Sequence, residues 1–139
     1  MDLGINQISG AIVNSAMCVH TELGPGLLEE AYKHCLAAEL TSRGFHVLVE
    51  HALPVTYKAA RIEIGYRLDL LVNDLVIVEL KAVQQIAPIH KAQLLSYLKL
   101  SNKNLGLLIN FNTLHLKDGI TRLINNLPCA PLRSPAVKN

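Results

Sequence analysis

A chain of 139 residues can bury one compact core but not two, and a composition that is half apolar and 17% charged excludes a disordered or low-complexity protein. No apolar run approaches the ~18 residues of a membrane span, because Asp69, Asp74, Glu79 and Lys81 interrupt the most hydrophobic stretch. The net charge of +2 hides an uneven split, with ten acids and six bases (−4) in residues 1–81 and one acid and seven bases (+6) in residues 82–139, so the second half is the anion-facing candidate.

From the N-terminus, Gln7 to Leu23 repeats apolar residues at Ile8, Ile12, Ala16 and Val19, the three-and-four spacing of a helix. Gly24-Pro25-Gly26 ends it. A second helix is predicted from Leu27 to about Ser42, with Leu28, Cys35, Leu36 and Leu40 inward and Gly44 as its stop. From Phe45 the texture becomes extended: Val47 and Val49 alternate with polar neighbours, Pro54 limits the strand or places it at an edge, and Val55 to Tyr57 continue it. Arg61 to Val72 and Leu75 to Lys81 read as two further strands around the turn signal Asn73-Asp74, so the three strands form a meander. Pro88 opens a helix that runs to about Ser101, and Leu105 to Asn110 is apolar enough for a central strand covered on both faces. Leu114 to Leu116 and Ile120 to Ile124 suggest either an edge hairpin around Asp118-Gly119 or, for the latter, a short helix. The order ααβββαβ plus a short C-terminal element describes an α/β layer structure, a mixed central β-sheet flanked by helices. A single domain is expected over residues 1–127, with a disordered tail over 128–139, where three prolines accompany Arg133 and Lys138 without periodicity. Cys18, Cys35 and Cys129 are odd in number and widely spaced, which suits neither a disulfide framework nor a paired-cysteine zinc site. With Asp2 and no Lys or Arg in the first twenty residues, a secretory signal is not expected, and a reducing cytoplasmic setting is.

The chemistry concentrates between Asp69 and Lys81. Asp69 sits in an otherwise apolar strand, and a second apolar strand, Leu75 to Val78, ends in Glu79-Leu80-Lys81. Charges in such strands are costly unless paired or metal-bound. Glu79 and Lys81, two apart, share a strand face. If Asp69 joins them, two carboxylates and an ammonium converge, the set that can hold a divalent cation and align a water beside a phosphate. The plain alternative is a pair of salt bridges in which Lys81 neutralises both acids. A two-residue turn at Asn73-Asp74 would set Asp69 opposite Val78 and point the two acids to opposite faces, so a shared site requires a three-residue loop or a β-bulge.

Three further features bear on that choice. Gly26, Glu29 and Tyr32 spell Gly-x-x-Glu-x-x-Tyr, with Glu29 and Tyr32 on one helix face. Gln93 and Tyr97 lie four apart on the helix after Lys81, with His90 one turn before Gln93. Together these residues resemble the GxxExxY family of the PD-(D/E)XK nuclease superfamily. Asp69 with Glu79-Leu80-Lys81 matches its metal-binding signature, with Leu68-Asp69 where Pro-Asp is standard. Gln93 with Tyr97 is similar to the Gln-x-x-x-Tyr motif of its RecB-like branch. The resemblance runs from about Gly10 to Asn125 and includes the stretches 92–98 and 106–111.

The resemblance implies a restriction-endonuclease-like core and a divalent cation, Mg2+ with Mn2+ as substitute, held by the Glu29, Asp69 and Glu79 carboxylates and the Leu80 carbonyl. It implies catalytic roles for Glu29, Asp69, Glu79 and Lys81, and substrate-binding or positioning roles for Gln93, Tyr97, Tyr32, His90 and Lys91. The implied activity is hydrolysis of phosphodiester bonds in nucleic acid, DNA ahead of RNA, and a homodimer would double the basic surface and supply two active sites for two strands. The superfamily also contains inactive proteins, so the alternative is a nucleic-acid-binding or regulatory module that is inactive alone or needs a partner. Single residues have plainer readings too. Tyr97 suits a core tyrosine, His90 and His20 suit surface or supporting histidines, and Tyr32 suits a hydrogen bond that fixes the Glu29 rotamer. Lys91, Lys99 and Lys103 either steer a phosphate backbone or merely solvate a helix face.

Overall fold

The computed structural model describes residues 3–126; the expected tail at 128–139, and Cys129 with it, lie outside the described residues. The elements are α1 (Ile5–Leu23), α2 (Glu29–Ser42), β1 (Val47–Tyr57), β2 (Ala60–Val72), β3 (Val76–Lys81), α3 (Pro88–Ser101), β4 (Leu105–Asn110) and β5 (Ile120–Ile124), with a 3-10 turn at Leu116–Gly119 before β5. They form one five-stranded sheet in the order β1-β2-β3-β4-β5. β1, β2 and β3 are the expected antiparallel meander, α3 carries the chain across to β4 parallel to β3, and β5 returns antiparallel to β4. The sheet is therefore mixed, and the element order is the one the sequence predicts.

Helices cover both faces. On one, Ile8, Ile12, Ala16 and Val19 of α1 and Leu36 and Leu40 of α2 pack on Leu70, Val72, Val78, Leu80, Leu107 and Ile109. On the other, Leu94, Tyr97 and Leu98 of α3 pack on Leu68, Leu71, Ile77 and Leu108. Five of the six β3 residues and all six of β4 are buried, as strands covered on both sides must be. Gly106 lets α3 approach closely, since a Cβ there would stand 3.0 Å from Leu94 Cδ1.

Two expectations need correction. Leu28 and Cys35 do not face inward: α2 begins only at Glu29, Leu28 is its exposed N-cap, and the buried stripe is phased on Tyr32, Leu36 and Leu40, which leaves Cys35 exposed. Leu114 to Leu116 is not a hairpin strand, because Leu116 is buried as the first residue of the 3-10 turn and β5 takes β4 as its partner. Of the two readings of Pro54 the edge holds: β1 runs through it as an edge strand, and Pro54 lies where the β1–β2 register shifts, between Leu53 and Val55, where a residue without an N–H costs no ladder bond.

Candidate active site

The β2–β3 connection decides the geometry. Asn73, Asp74 and Leu75 form a three-residue loop, with Asn73 and Asp74 in the left-handed region at φ 51° and 57°. Asn and Asp tolerate that conformation better than other non-glycine residues. The Asn73 side chain bolts the loop to β1, its Oδ1 accepting from the His46 N–H at 2.8 Å. Val72 pairs with Val76, so Asp69 comes opposite Glu79, the register that a shared site requires.

At that step the sheet forks. The β2–β3 ladder ends at the Leu70–Val78 pair, and the two carboxylates take over the freed backbone donors. The Asp69 N–H donates to Glu79 Oε2 at 2.8 Å, and the Leu80 N–H donates to Asp69 Oδ2 at 2.9 Å. Side-chain alternation also breaks here, since Leu68 and Leu71 join the α3-side core while Leu70 and Val72 join the α1/α2 side. On β1 the pairing skips Glu50, which has φ 53°, a rare conformation for a residue with a Cβ. Asp69 thus lies at the boundary between the two helical layers.

Burial and like charge set the electrostatics. Glu79 is 5% exposed, and burial together with the Asp69 carboxylate pushes its pKa up to about 8 against the opposing Asp69 N–H and Lys81 ammonium. Glu29, the first residue of α2, is pushed up by burial and by Asp69, while Lys81 and Lys33 pull the other way. Glu29, Asp69, Glu79 and Lys81 therefore act on one another electrostatically. Lys81 forms no ion pair among the described residues, so the salt-bridge alternative does not hold for it.

The cation paired with Asp69 is Lys33, which the sequence reading passed over. Its Nζ lies 3.6 Å from Asp69 Oδ1, 2.6 Å from Glu30 Oε1 and 3.5 Å from Glu50 Oε2. Burial would lower its pKa, but these three acids outweigh burial and raise it. Glu50 and Asn110 were missed as well. Asn110, buried at the end of β4 and paired with Lys81, accepts from the Val83 N–H at 3.1 Å and donates to the Val83 carbonyl at 2.9 Å, which fixes the backbone leaving Lys81.

Other candidate residues make contacts of their own. Tyr32 does not bond Glu29: it is fully buried, stacked on Phe111 at 4.6 Å, and its hydroxyl donates to the Gly24 carbonyl at 2.6 Å and accepts from the Leu27 N–H at 3.0 Å. The Gly-x-x-Glu-x-x-Tyr spacing thus has a structural meaning. Gly24 and Gly26, at φ 70° and 100°, turn the chain, and Tyr32 staples that turn so that α2 opens with Glu29 at the site. His90 caps α3, its Nδ1 accepting from the Ala87 N–H at 3.0 Å, because a residue at the third helical position can reach back to the N-cap. His20 contacts the Thr113 carbonyl at 2.7 Å, away from the fork. Tyr97 is buried and does face the acids: burial, then Glu79, Tyr66 and Asp69, raise its pKa, and its ring lies 5.9 Å from that of Tyr66. Gln93 and Lys91 are exposed on α3. Lys103 is engaged by Asp74 at 3.1 Å.

A divalent cation suits this donor set. Glu29, Asp69 and Glu79 offer hard carboxylate oxygens, and a dication would favour the charged forms that burial first, and then the Asp69 carboxylate, disfavour at Glu79 and Glu29. Glu29, Asp69 and Glu79 do not bring three donor atoms within 4.8 Å of one another, and Asp69 and Glu79 each accept a backbone N–H on one oxygen. Among the described residues, only Glu30, His34 and Glu50 bring three donor atoms within 4.8 Å of one another.

The family model described as the PD-(D/E)XK nuclease superfamily matches residues 6–123, a span holding the fork, the start of α2 and the whole of α3. No curated protein and no solved structure gives a significant match. With that match over most of its length, and with three helices flanking a five-stranded mixed sheet in a restriction-endonuclease-like order, the chain belongs to the PD-(D/E)XK nuclease superfamily.

Proposed function

We propose that the protein is a divalent-metal-dependent nuclease of the GxxExxY family that hydrolyses phosphodiester bonds, in DNA ahead of RNA. The observation that carries this reading is the fork, where Asp69 and Glu79 are cross-braced through backbone N–H groups and Glu79 is pushed up to about 8. The Glu29, Asp69 and Glu79 carboxylates and the Leu80 carbonyl would hold the ion. Bound Mg2+, or Mn2+ in its place, would supply an acidified water and withdraw charge from the phosphoryl oxygens.

The remaining work belongs to the chain. Lys81, which acts on both Glu79 and Glu29, orients the attacking water and balances the charge that gathers on the phosphoryl oxygens as the leaving oxygen departs. The N–H groups of Asp69 and Leu80 hold the two carboxylates in fixed rotamers, so little reorganisation accompanies the reaction. Tyr97 walls the acids on the α3 side, and Gln93, Lys91 and Lys99 on the exposed side of that helix contact the strand. Exposed free Cys18 and Cys35 suit a reducing cytoplasm, and a homodimer would place two sites on two strands.

A second reading, a nucleic-acid-binding or regulatory module that needs a partner, has two observations in its favour. Lys103 is taken up by Asp74, and a net charge of +2 is thin for a freestanding DNA binder. Cleavage of single-stranded, duplex and branched substrates with Mg2+, Mn2+ or chelator separates the two. Metal-dependent cleavage that is lost in Glu79→Ala supports the nuclease. Binding without cleavage across the panel supports the module.

A further inference from the structure

Lys33 is a charged side chain only 6% exposed, on the buried face of α2. A lysine so deeply placed is rare unless paired. Its ammonium is paired three times, with carboxylates from three elements: Glu30 of α2, Glu50 of β1 and Asp69 of β2. Glu50 reaches it from a backbone at φ 53°, at the step where pairing between β1 and β2 lapses opposite Asp69.

Glu30, His34 and Glu50 have donor atoms within 4.8 Å of one another, a spacing at which such residues can hold a metal ion. Asp69 would link that group to the ion proposed between Glu29 and Glu79. Two-metal phosphodiester sites set their cations about 3.5–4 Å apart. Nζ of Lys33 lies against both acids of this second group, 2.6 Å from Glu30 Oε1 and 3.5 Å from Glu50 Oε2, and 3.6 Å from Asp69 Oδ1. A dication competing for the same three oxygens would meet that fixed positive charge.

We infer that Lys33 is the built-in cation of this centre, standing where a second metal ion would stand, so that the protein takes one divalent ion per chain. This rests on the nuclease reading above. Lys33 is then a positioning residue as well: with Lys33 on Oδ1 and the Leu80 N–H on Oδ2, the Asp69 carboxylate is held at both ends.

The test is a titration of the full chain with Mn2+, without substrate, in which free Mn2+ is followed by its electron spin resonance signal. Wild type should bind one ion. Lys33→Ala should bind two, the added ion disappearing in Lys33→Ala with Glu50→Gln, and Lys33→Arg should return to one. Two ions on wild type, or still one on Lys33→Ala, overturns the inference while leaving the nuclease reading intact. No bound ion on wild type removes that reading and the inference with it. If Lys33→Ala does not fold, Glu30→Gln and Glu50→Gln decide: an unchanged single ion with Kd within about twofold supports the inference, and the loss of an ion overturns it.

Discussion

Glu79 is an acid buried beside another acid, and this has a thermodynamic signature. Burial, and then the Asp69 carboxylate, push its pKa up to about 8 from the ordinary 4.5 of a glutamate. Between those values the folded state holds a proton that the unfolded state has released, so the contribution to stability is full below pH 4.5 and is lost as pH rises towards 8. Glu29 is raised as well and adds with the same sign. In chelator, the melting temperature should fall from pH 5 to pH 8, and the fall should be smaller in Glu79→Gln; an equal fall in both would place the titrating groups elsewhere. At pH 8, millimolar Mg2+ should raise the melting temperature of wild type and raise that of Asp69→Asn less, with equal gains indicating nonspecific surface binding. Tyr32→Phe keeps the stack on Phe111 but removes two hydrogen bonds from the turn before Glu29. Urea unfolding should show a loss of about 1–2 kcal/mol. Asp69, Glu79 and Lys81 were legible in sequence because charges inside apolar strands demand a reason. Lys33 was not, because Glu30 and Lys33 at i and i+3 read as an ordinary surface pair until β1 and β2 close over them. Glu50 carries no local signal for its positive φ, and the capping role of His90 emerges only once the start of α3 is fixed at Pro88.

At the scale of elements, punctuation made the sequence readable. Pro88 and Asn102 bracket α3, the latter in the left-handed conformation of a helix C-cap, and β4 runs from Leu105 to Asn110 as its apolar run predicts. The loop length between β2 and β3 followed from requiring Asp69 and Glu79 to meet. Less legible was the chain after β4, where apolar Leu114 and Leu116 mimic a strand although only Leu116 is buried. Two glycines test how tightly the elements are fitted. A Cβ at Gly106 meets only the side chain of Leu94, which must give by a few tenths of an ångström, so Gly106→Ala should cost about 1 kcal/mol and nudge α3. A Cβ at Gly119 runs into the backbone carbonyl of Asn110, whose side chain holds Val83, so Gly119→Ala should cost about 3 kcal/mol. Denaturant unfolding of the two variants should preserve that order, and a reversed order would mean that the turn at Leu116–Gly119 yields more readily than the packing of α3 on the sheet.

For the whole molecule, the division of charge along the chain becomes a division in space. Glu29, Glu30, Glu50, Asp69 and Glu79 interact around the fork, and α3, on the sheet face opposite α1 and α2, carries exposed Lys91 and Lys99. Reversing both lysines to Glu should weaken nucleic-acid binding at low salt by tenfold or more and lower the slope of log K against log salt by about 2, leaving thermal stability near wild type. An unchanged slope would move the binding surface off α3. No helix among the described residues is long and apolar enough to cross a membrane. The central claim is that the fork performs chemistry rather than merely holding the sheet together, and Lys81, free of ion pairs among the described residues, is the residue through which to ask. Single-turnover cleavage of a labelled DNA substrate in Mg2+, at protein concentrations that saturate binding, should be about a thousandfold slower in Lys81→Ala than in wild type, with the Kd for DNA changed by less than about threefold. Equal cleavage by the two proteins, or none by wild type in either Mg2+ or Mn2+, would contradict it.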